Sequence, residues 1–544
     1  MAPFLLALAA CGGGGSSGGG TDAPDTGTTP PPPQVTVSGT LSYDFVPQAP
    51  LGGLDFDATQ RKPVAGVTVQ ALSSTGAILD TTTASADGLY ELSVPQDRQV
   101  RVRALAQRRQ AAADDGPGWN TAVRDNTTLG RPLYAMDSPF FTPGAGGSTR
   151  DLHAASGWTG AAYTEPRVAA PFALLDGIRK AEQLVLEQAP AAVFPPLTVL
   201  WSTLNTPSTR FRPTIGEVLT TFFDTGSGNT IYVLGDAAVD TDEYDLHVVV
   251  HEWGHYYETH FARVDSPGGA HLLSAALDPR VAFAEGWANA WAAMVLQQPM
   301  YTDTGRPTVA RETLRLDLEE NDTALEGWFS QTTVGGLLWD IFDLPFDGLD
   351  QISEGFGPID AVLRGPQRTT PAQTTLFSFL AYYKQQQPGT AGVLDAMAEA
   401  RGVTSTGQDI WGSLETRDGG RPNALPVYLP LTPDGPPVTA CTSAGPSSAD
   451  VFNRLGTRRL LRVQVPAAGV YRFESQGPAG SSPALNHWLR GDKTTASTAA
   501  QDSLRSLELE VPAGDQVLEV YDTRNLVAPP VGEVCFEVRA RRVQ

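Results

Sequence analysis

The sequence predicts a multidomain protein: an N-terminal all-β sandwich, a central α+β domain and a C-terminal all-β domain, carried behind a flexible tether. Three observations predict it. Short runs with apolar residues at alternate positions, punctuated by Gly, Pro and Asn, occupy both ends of the chain. Apolar residues at three- and four-residue steps occupy the middle. Proline-rich stretches, Pro30 to Pro33 and Pro430 to Pro437, mark the junctions. These signals set boundaries at 1–11 for a leader, 12–34 for the tether, 35–107 for the first β domain and 108–164 for an irregular connection. The central domain then runs 165–430 and the second β domain 436–544.

The leader, Met1 to Cys11, is apolar but far too short to cross a membrane as a helix. Leu8-Ala9-Ala10-Cys11 resembles a bacterial lipobox, which implies removal of the leader and lipid attachment at Cys11. Glycine follows the cysteine, and by resemblance to Gram-negative lipoproteins that implies the outer membrane. No basic residue precedes the apolar run, so a complete leader is expected to begin upstream of Met1. Glycines and serines after Cys11 make a flexible chain, and the prolines at 30–33 stiffen its exit.

Strands are expected at Val35–Leu41, Gly66–Leu72, Ile78–Thr83, Leu89–Val94 and Val100–Ala104, with Ala86-Asp87-Gly88 as a turn. The runs P-V-A-G-V-T-V and A-D-G-L-Y-E-L-S-V-P resemble the carboxypeptidase regulatory-like, transthyretin-type β-sandwich. Nothing catalytic is expected there.

The central domain opens with a helical pattern over Arg167–Gln188 and strands at Leu197–Trp201 and Thr230–Leu234. His251-Glu252-Trp253-Gly254-His255 follows. On a helix, positions i and i+4 share a face, so both imidazoles can reach one metal ion, and Glu252 projects beside them. Leu246, Val249, Val250, Trp253 and Tyr257 supply the apolar stripe, and Asp240 to Glu243 are expected to start the helix. Five of the seven histidines fall between His247 and His271. A second apolar helix, begun by Asp278-Pro279, carries Glu285. A carboxylate in such surroundings needs a counter-charge, and a metal ion answers that better than a salt bridge. Further helices are expected at Thr332–Phe342, Thr374–Gln385 and Val393–Ala400.

HEWGH with F-A-E-G-W-A-N downstream resembles the gluzincin metallopeptidases, the thermolysin and fungalysin families, over roughly residues 165–430. The resemblance implies a zincin-like fold and one Zn2+ held by His251, His255 and Glu285, with Glu252 as general base in peptide-bond hydrolysis. It also implies a residue four places after the glutamate that orients the first histidine. Usually an aspartate, here it is Asn289, which can accept from an imidazole N–H but adds no charge. Such enzymes pair an extended substrate with an edge strand, for which Ile231–Leu234 is the candidate, with an ordinary internal strand an equally open reading of the same residues. They also use a histidine downstream of the glutamate as oxyanion donor, but none occurs between His271 and His487. His271, His247 and Tyr301 are the candidates to replace it.

The second β domain has expected strands at Leu460–Val465, Gly469–Glu474, Leu507–Val511 and Gln516–Asp522. Its P-A-A-G-V-Y-R-F and V-P-A-G-D-Q-V-L-E-V-Y runs resemble jelly-roll-like domains of secreted bacterial peptidases. Cys441 and Cys535 enclose it and are expected to form a disulfide. A net charge of −22 argues against nucleic-acid partners. The run Asp317 to Asp322 is a candidate Ca2+ site, with solvated surface as the preferred reading. Two functions stand: a surface-anchored zinc endopeptidase acting on protein or peptide, and a non-catalytic, zinc-stabilised surface or adhesion protein. A structural metal site has no use for Glu252, which favours the first.

Overall fold

The structure, a computed structural model, describes residues 32–49, 53–113, 116–305, 311–320, 325–344, 351–421, 423–443, 451–496 and 503–544. Cys11 and the tether up to residue 31 lie outside them. The protein is multidomain and mostly β, with its principal helices gathered in the middle of the chain. No helix among the described residues is long and apolar enough to cross a membrane.

Every strand expected in the first β domain is present, but the domain does not end at residue 107. Gln34–Phe45 is the hub of one sheet, pairing with Leu89–Pro95 and Gln60–Pro63, and in parallel with Ser148–Thr149 and Leu152–Ala154. The other strands belong to an eight-stranded sheet that runs on into the central domain. Its order is Phe222–Asp224, Thr230–Val233, Leu197–Trp201, Trp119–Asp125, Val100–Gln110, Val67–Ser73, Ile78–Thr83, with Ala135–Asp137 added beside Val100–Gln110. The irregular connection expected over 108–164 is thereby corrected. Trp119–Asp125 is the bridging strand, antiparallel to Val100–Gln110 and parallel to Leu197–Trp201. One buried core accordingly extends from Val37 and Val102 through Val199 and Trp253 to Phe379.

Helix α1 (Ala170–Gln188) packs against this sheet. Its Glu182 forms a buried ion pair with Arg108, and its Asp176 accepts from the Tyr43 hydroxyl at 3.1 Å. Both flanking strands are therefore tied to the helix by polar contacts that burial makes costly to break. After α2 (Leu246–Phe261) and α3 (Pro279–Leu296) come the hairpin Met300–Gly305/Arg311–Asp317 and α4 (Gln331–Phe342). Then follow α5 (Phe356–Arg364), α6 (Pro366–Thr369), α7 (Leu376–Gln386) and α8 (Ala391–Ala400). The hairpin, α5 and α6 were not expected from the sequence.

The C-terminal domain is two facing sheets around a separate apolar cluster that includes Leu461, Phe473, Leu518 and Phe536. Cys441 and Cys535 are directly opposite on the antiparallel strands Val438–Ser443 and Glu533–Arg542, joined by the expected disulfide.

Candidate metal centre

Two glycines explain how α2, α3 and α4 come so close. A Cβ on Gly254 would meet Ala288 Cα at 3.2 Å and Trp291 Cδ1 at 3.1 Å. The Trp287 indole donates to the Gly254 carbonyl at 3.1 Å, and Trp253 stacks on Trp291 with ring centres 5.4 Å apart. On the other side of α3, a Cβ on Gly286 would lie 2.5 Å from Val334 Cβ, so α4 packs directly behind Glu285. The three helices thus lock by backbone approach and aromatic area, and side chains projecting from them have little freedom.

The side chains that project here are His251, His255 and Glu285. His255 Nε2 lies 3.2 Å from His251 Nε2, and Glu285 Oε2 lies 3.3 Å from His251 Nε2 and 3.5 Å from His255 Nε2. Bonds of about 2.0–2.1 Å to a tetrahedral ion put neighbouring ligand atoms about 3.4 Å apart. Glu285 Oε2 is buried and makes no hydrogen bond, although these nitrogens surround it. A buried carboxylate oxygen without a donor is expensive. A cation among the three atoms removes that cost, so the donor set fits a zinc-type ion.

Neighbouring groups orient the set. His251 Nδ1 meets Asn289 Oδ1 at 2.9 Å, and Asn289, four residues after Glu285, is buried on the same face of α3. This interaction turns the His251 Nε2 lone pair toward the other two donors. His255 Nδ1 faces Glu258 at 3.6 Å. Burial opposes a charge on His255, but Glu285 and Glu258 outweigh it and raise its pKa well above the usual imidazole range. Burial likewise opposes the Glu285 charge, yet the imidazoles of His271 and His255 hold its carboxyl well below the usual range. Glu252 is buried beside the trio, and its Oε2 accepts from the Phe223 backbone N–H at 2.8 Å. Burial raises its pKa against the pull of His251 and His255.

Phe223 corrects the expected edge. Thr230–Val233 lies inside the sheet, and Phe222–Asp224 ends it among the described residues. The strand bordering the site is therefore the one whose backbone also holds Glu252. Sequence reasoning missed it because three residues carry no readable period.

Of the three candidate donors, His271 faces a member of the trio directly. Its Nε2 stands 3.4 Å from Glu285 Oε2, and its Nδ1 faces the Gly269 carbonyl at 3.3 Å. His247 is buried with Nε2 3.2 Å from the Gln298 carbonyl, and burial depresses its pKa to about 4. Tyr301 is buried with its ring centre 6.0 Å from that of His251, and burial raises its pKa well above the usual phenol range.

Asp240 to Glu243 do not start α2. Asp240–Thr241 is a short strand, and the helix begins after Asp245, which makes no side-chain cap. Glu243 instead pairs with buried Arg167 at 2.6 Å. Carboxylate oxygens of Asp240, Asp242 and Asp303 come within 4.8 Å of one another, and burial raises Asp240 to about 7. In the acidic run considered for calcium, Asp317 accepts from the Glu319 backbone at 3.2 Å and Glu319 from the Trp339 indole at 2.6 Å. Asn321 and Asp322 lie outside the described residues.

Comparison with known proteins adds one coarse assignment. The family profile described as the Mycolysin C-terminal domain matches residues 196–406, less than half of the chain but including α2, α3 and α4. The central segment is therefore similar to a protease-related domain. No curated protein matches the chain. Among solved structures, the pre-peptidase C-terminal domain of a Bacillus anthracis collagenase is 14% identical, with 21% of this chain and 93% of that one covered, at a TM-score of 0.16. A β-glucosidase from Paenibacillus barengoltzii is 15% identical over 28% of this chain and 17% of its own, at 0.11. A cycloisomaltooligosaccharide glucanotransferase from Paenibacillus sp. is 9% identical over 93% of this chain and 72% of its own, at 0.12.

Proposed function

We propose that this protein is a zinc-dependent endopeptidase of the gluzincin kind, with His251, His255 and Glu285 as metal ligands and Glu252 as general base. One observation carries the reading: three ligand atoms, two imidazole nitrogens and a buried Glu285 oxygen that makes no hydrogen bond, stand 3.2–3.5 Å apart with a second carboxylate alongside. The match of this segment to a protease-related domain supports it.

Zinc, when bound, supplies Lewis acidity and lowers the pKa of a coordinated water toward about 7. The chain's own residues do the rest. Glu252 takes a proton from the attacking water and passes it to the leaving amine. The Phe223 N–H holds one Glu252 oxygen, so the other is aimed without a rotamer search. Asn289 keeps the His251 ring in register. His271, partly exposed at the rim, is the side chain best placed to donate to the developing oxyanion. A peptide lying along Phe222–Asp224 would meet Glu252 where that strand already contacts it.

Zinc content and casein cleavage, measured on the same preparation with and without chelator, test the reading. Stoichiometric zinc with no cleavage would leave a non-catalytic, zinc-stabilised protein. We further propose that Cys11 anchors the enzyme to the outer membrane by lipid. A single acyl chain binds membranes only marginally, so stable anchoring needs more than one. Cys11→Ala, made with a complete leader, should then leave the membrane fraction or stay unprocessed. A mature N-terminus with unmodified Cys11 would refute the anchor.

A further inference from the structure

The loop between α2 and α3 carries His271, and the chain entering the C-terminal β domain grips it. Asn453 is fully buried, and its amide nitrogen donates to the carbonyls of Gly268 at 3.0 Å and Ala270 at 2.9 Å. Both donors of that amide are thus spent on one loop, on either side of Gly269 and next to His271. Gly269 sits at φ +94°, where a side chain would be strained, and a Cβ there would be 3.4 Å from the Phe452 ring. The Asn453 carbonyl accepts from Asp278 N at 2.7 Å, and Leu455 N donates to Ala276 O at 2.9 Å. Residues 453–455 therefore run as a short pairing partner along 276–278, the last residues before α3.

A second hold lies one turn further on. Arg280, fully buried in the first turn of α3, donates to Asp278 at 2.8 Å and to Glu519 of the C-terminal domain at 2.7 Å. Glu519 also accepts from Asn486 at 2.8 Å and from the Trp488 indole at 3.0 Å, and Arg458 stands 3.4 Å away. Glu285 is the fifth residue after Arg280 on the same helix. The C-terminal domain thus grasps both the start of the helix that bears Glu285 and the loop that bears His271.

We propose that the C-terminal β domain is a working part of the metal site, with Asn453 the positioning residue that sets His271 against Glu285. The inference rests on the metal-site reading but goes beyond it. A β domain far along the chain from both zinc-site helices becomes a determinant of how firmly the ion is held. Without the Asn453 amide, the two carbonyls lose their donors, the loop relaxes, and His271 no longer faces the carboxylate. Groups that contact a metal's ligands typically change its affinity 10- to 100-fold when lost.

The test uses the full chain loaded with cobalt(II), whose visible spectrum reports the site directly. Release to excess chelator is timed for the wild type, His271→Ala, Asn453→Asp and the double variant. Asn453→Asp keeps the side-chain volume but offers no N–H, so it carries the test if Asn453→Ala does not fold. Thr439→Ala, at an exposed side-chain contact on a C-terminal strand, serves as a control for general loosening of that domain. Both single variants should release cobalt about tenfold faster with the same spectral change, and the double variant no faster than either, as coupled positions require. Asn453→Asp behaving as wild type while His271→Ala accelerates release would overturn the proposal, as would additive effects or no effect of either variant. A wild-type chain that takes up no cobalt would instead overturn the metal-site reading itself.

Discussion

Asn289 offers the sharpest measurement of how the site is tuned. Its Oδ1 is the partner 2.9 Å from His251 Nδ1, and the pair is buried between α2 and α3. Asn289→Ala removes the acceptor and leaves an imidazole N–H in a packed interior. An unsatisfied buried donor costs about 1–3 kcal/mol, which corresponds to about 5- to 150-fold in an equilibrium constant. That cost falls on the state in which His251 holds its ligand orientation, so it should appear as weakened zinc affinity. The loss expected where the partner of a ligating histidine is removed, about 10- to 100-fold, lies within that range. Asn289→Asp restores the acceptor with a charge and makes the ring a stronger donor to the ion, so its affinity should equal or exceed that of the wild type. Competition against a chromophoric chelator at constant pH gives both numbers, and circular dichroism confirms that the variants are folded. An Asn289→Ala protein within twofold of the wild type would show that packing alone orients His251.

Glu252→Gln should keep zinc and lose peptide hydrolysis by several orders of magnitude, whereas Glu285→Ala should lose zinc as severely as His255→Ala. Equal metal loss in all three would assign Glu252 to the ligands. Glu519→Gln breaks a buried pair and should destabilise the protein by about 3–5 kcal/mol at pH 7. Burial alone would raise the Glu519 carboxyl, but Arg280 and Arg458 hold it at about 2, down from 4.5. Its contribution is complete above about pH 4.5 and is lost as pH falls toward 2, so the gap in melting temperature between wild type and variant should close over that window. A gap independent of pH would exclude Glu519 ionisation as the cause. A chain beginning at Glu165 should fail to fold, since it lacks the strand Trp119–Asp125 and leaves Glu182 buried without Arg108. A cooperative melt of that fragment would show that the shared sheet is dispensable.

The convergence of His251, His255 and Glu285 was legible because its information is local. Two histidines one helical turn apart and a lone carboxylate on an apolar helix identify themselves from spacing and cost. Asn289 was expected only through the resemblance to the gluzincins, which implies an orienting residue four places after the glutamate. The edge strand was not legible, because Phe222–Asp224 is too short to show alternation and Thr230–Val233 is buried on both faces. Asp240 to Glu243 misled because the same carboxylates that favour a helix start also suit a short strand with a buried arginine nearby. Asn453 carries no sequence signal at all, being a single polar residue 182 positions from His271 whose role depends on tertiary contact.

The same distinction explains the domain boundaries. Proline and glycine runs report where the chain is free to turn, and they were read as places where one core stops and another begins. Those are different properties. Trp119–Asp125 contains arginine, aspartate and asparagine and has no apolar run, yet it sits between Val100–Gln110 and Leu197–Trp201 and makes them one sheet. Arg108 and Glu182 are each polar and would be assigned to the surface by composition, but together they bury a contact between the first β segment and α1. Arg280 and Glu519 do the same between α3 and the second β domain. Each flank is therefore fastened to a helix of the central domain by a charge that makes sense only beside its distant partner. Removing either flank exposes more than apolar surface. It strands an ion in the interior, and a buried unpaired ion is what a folded chain tolerates least.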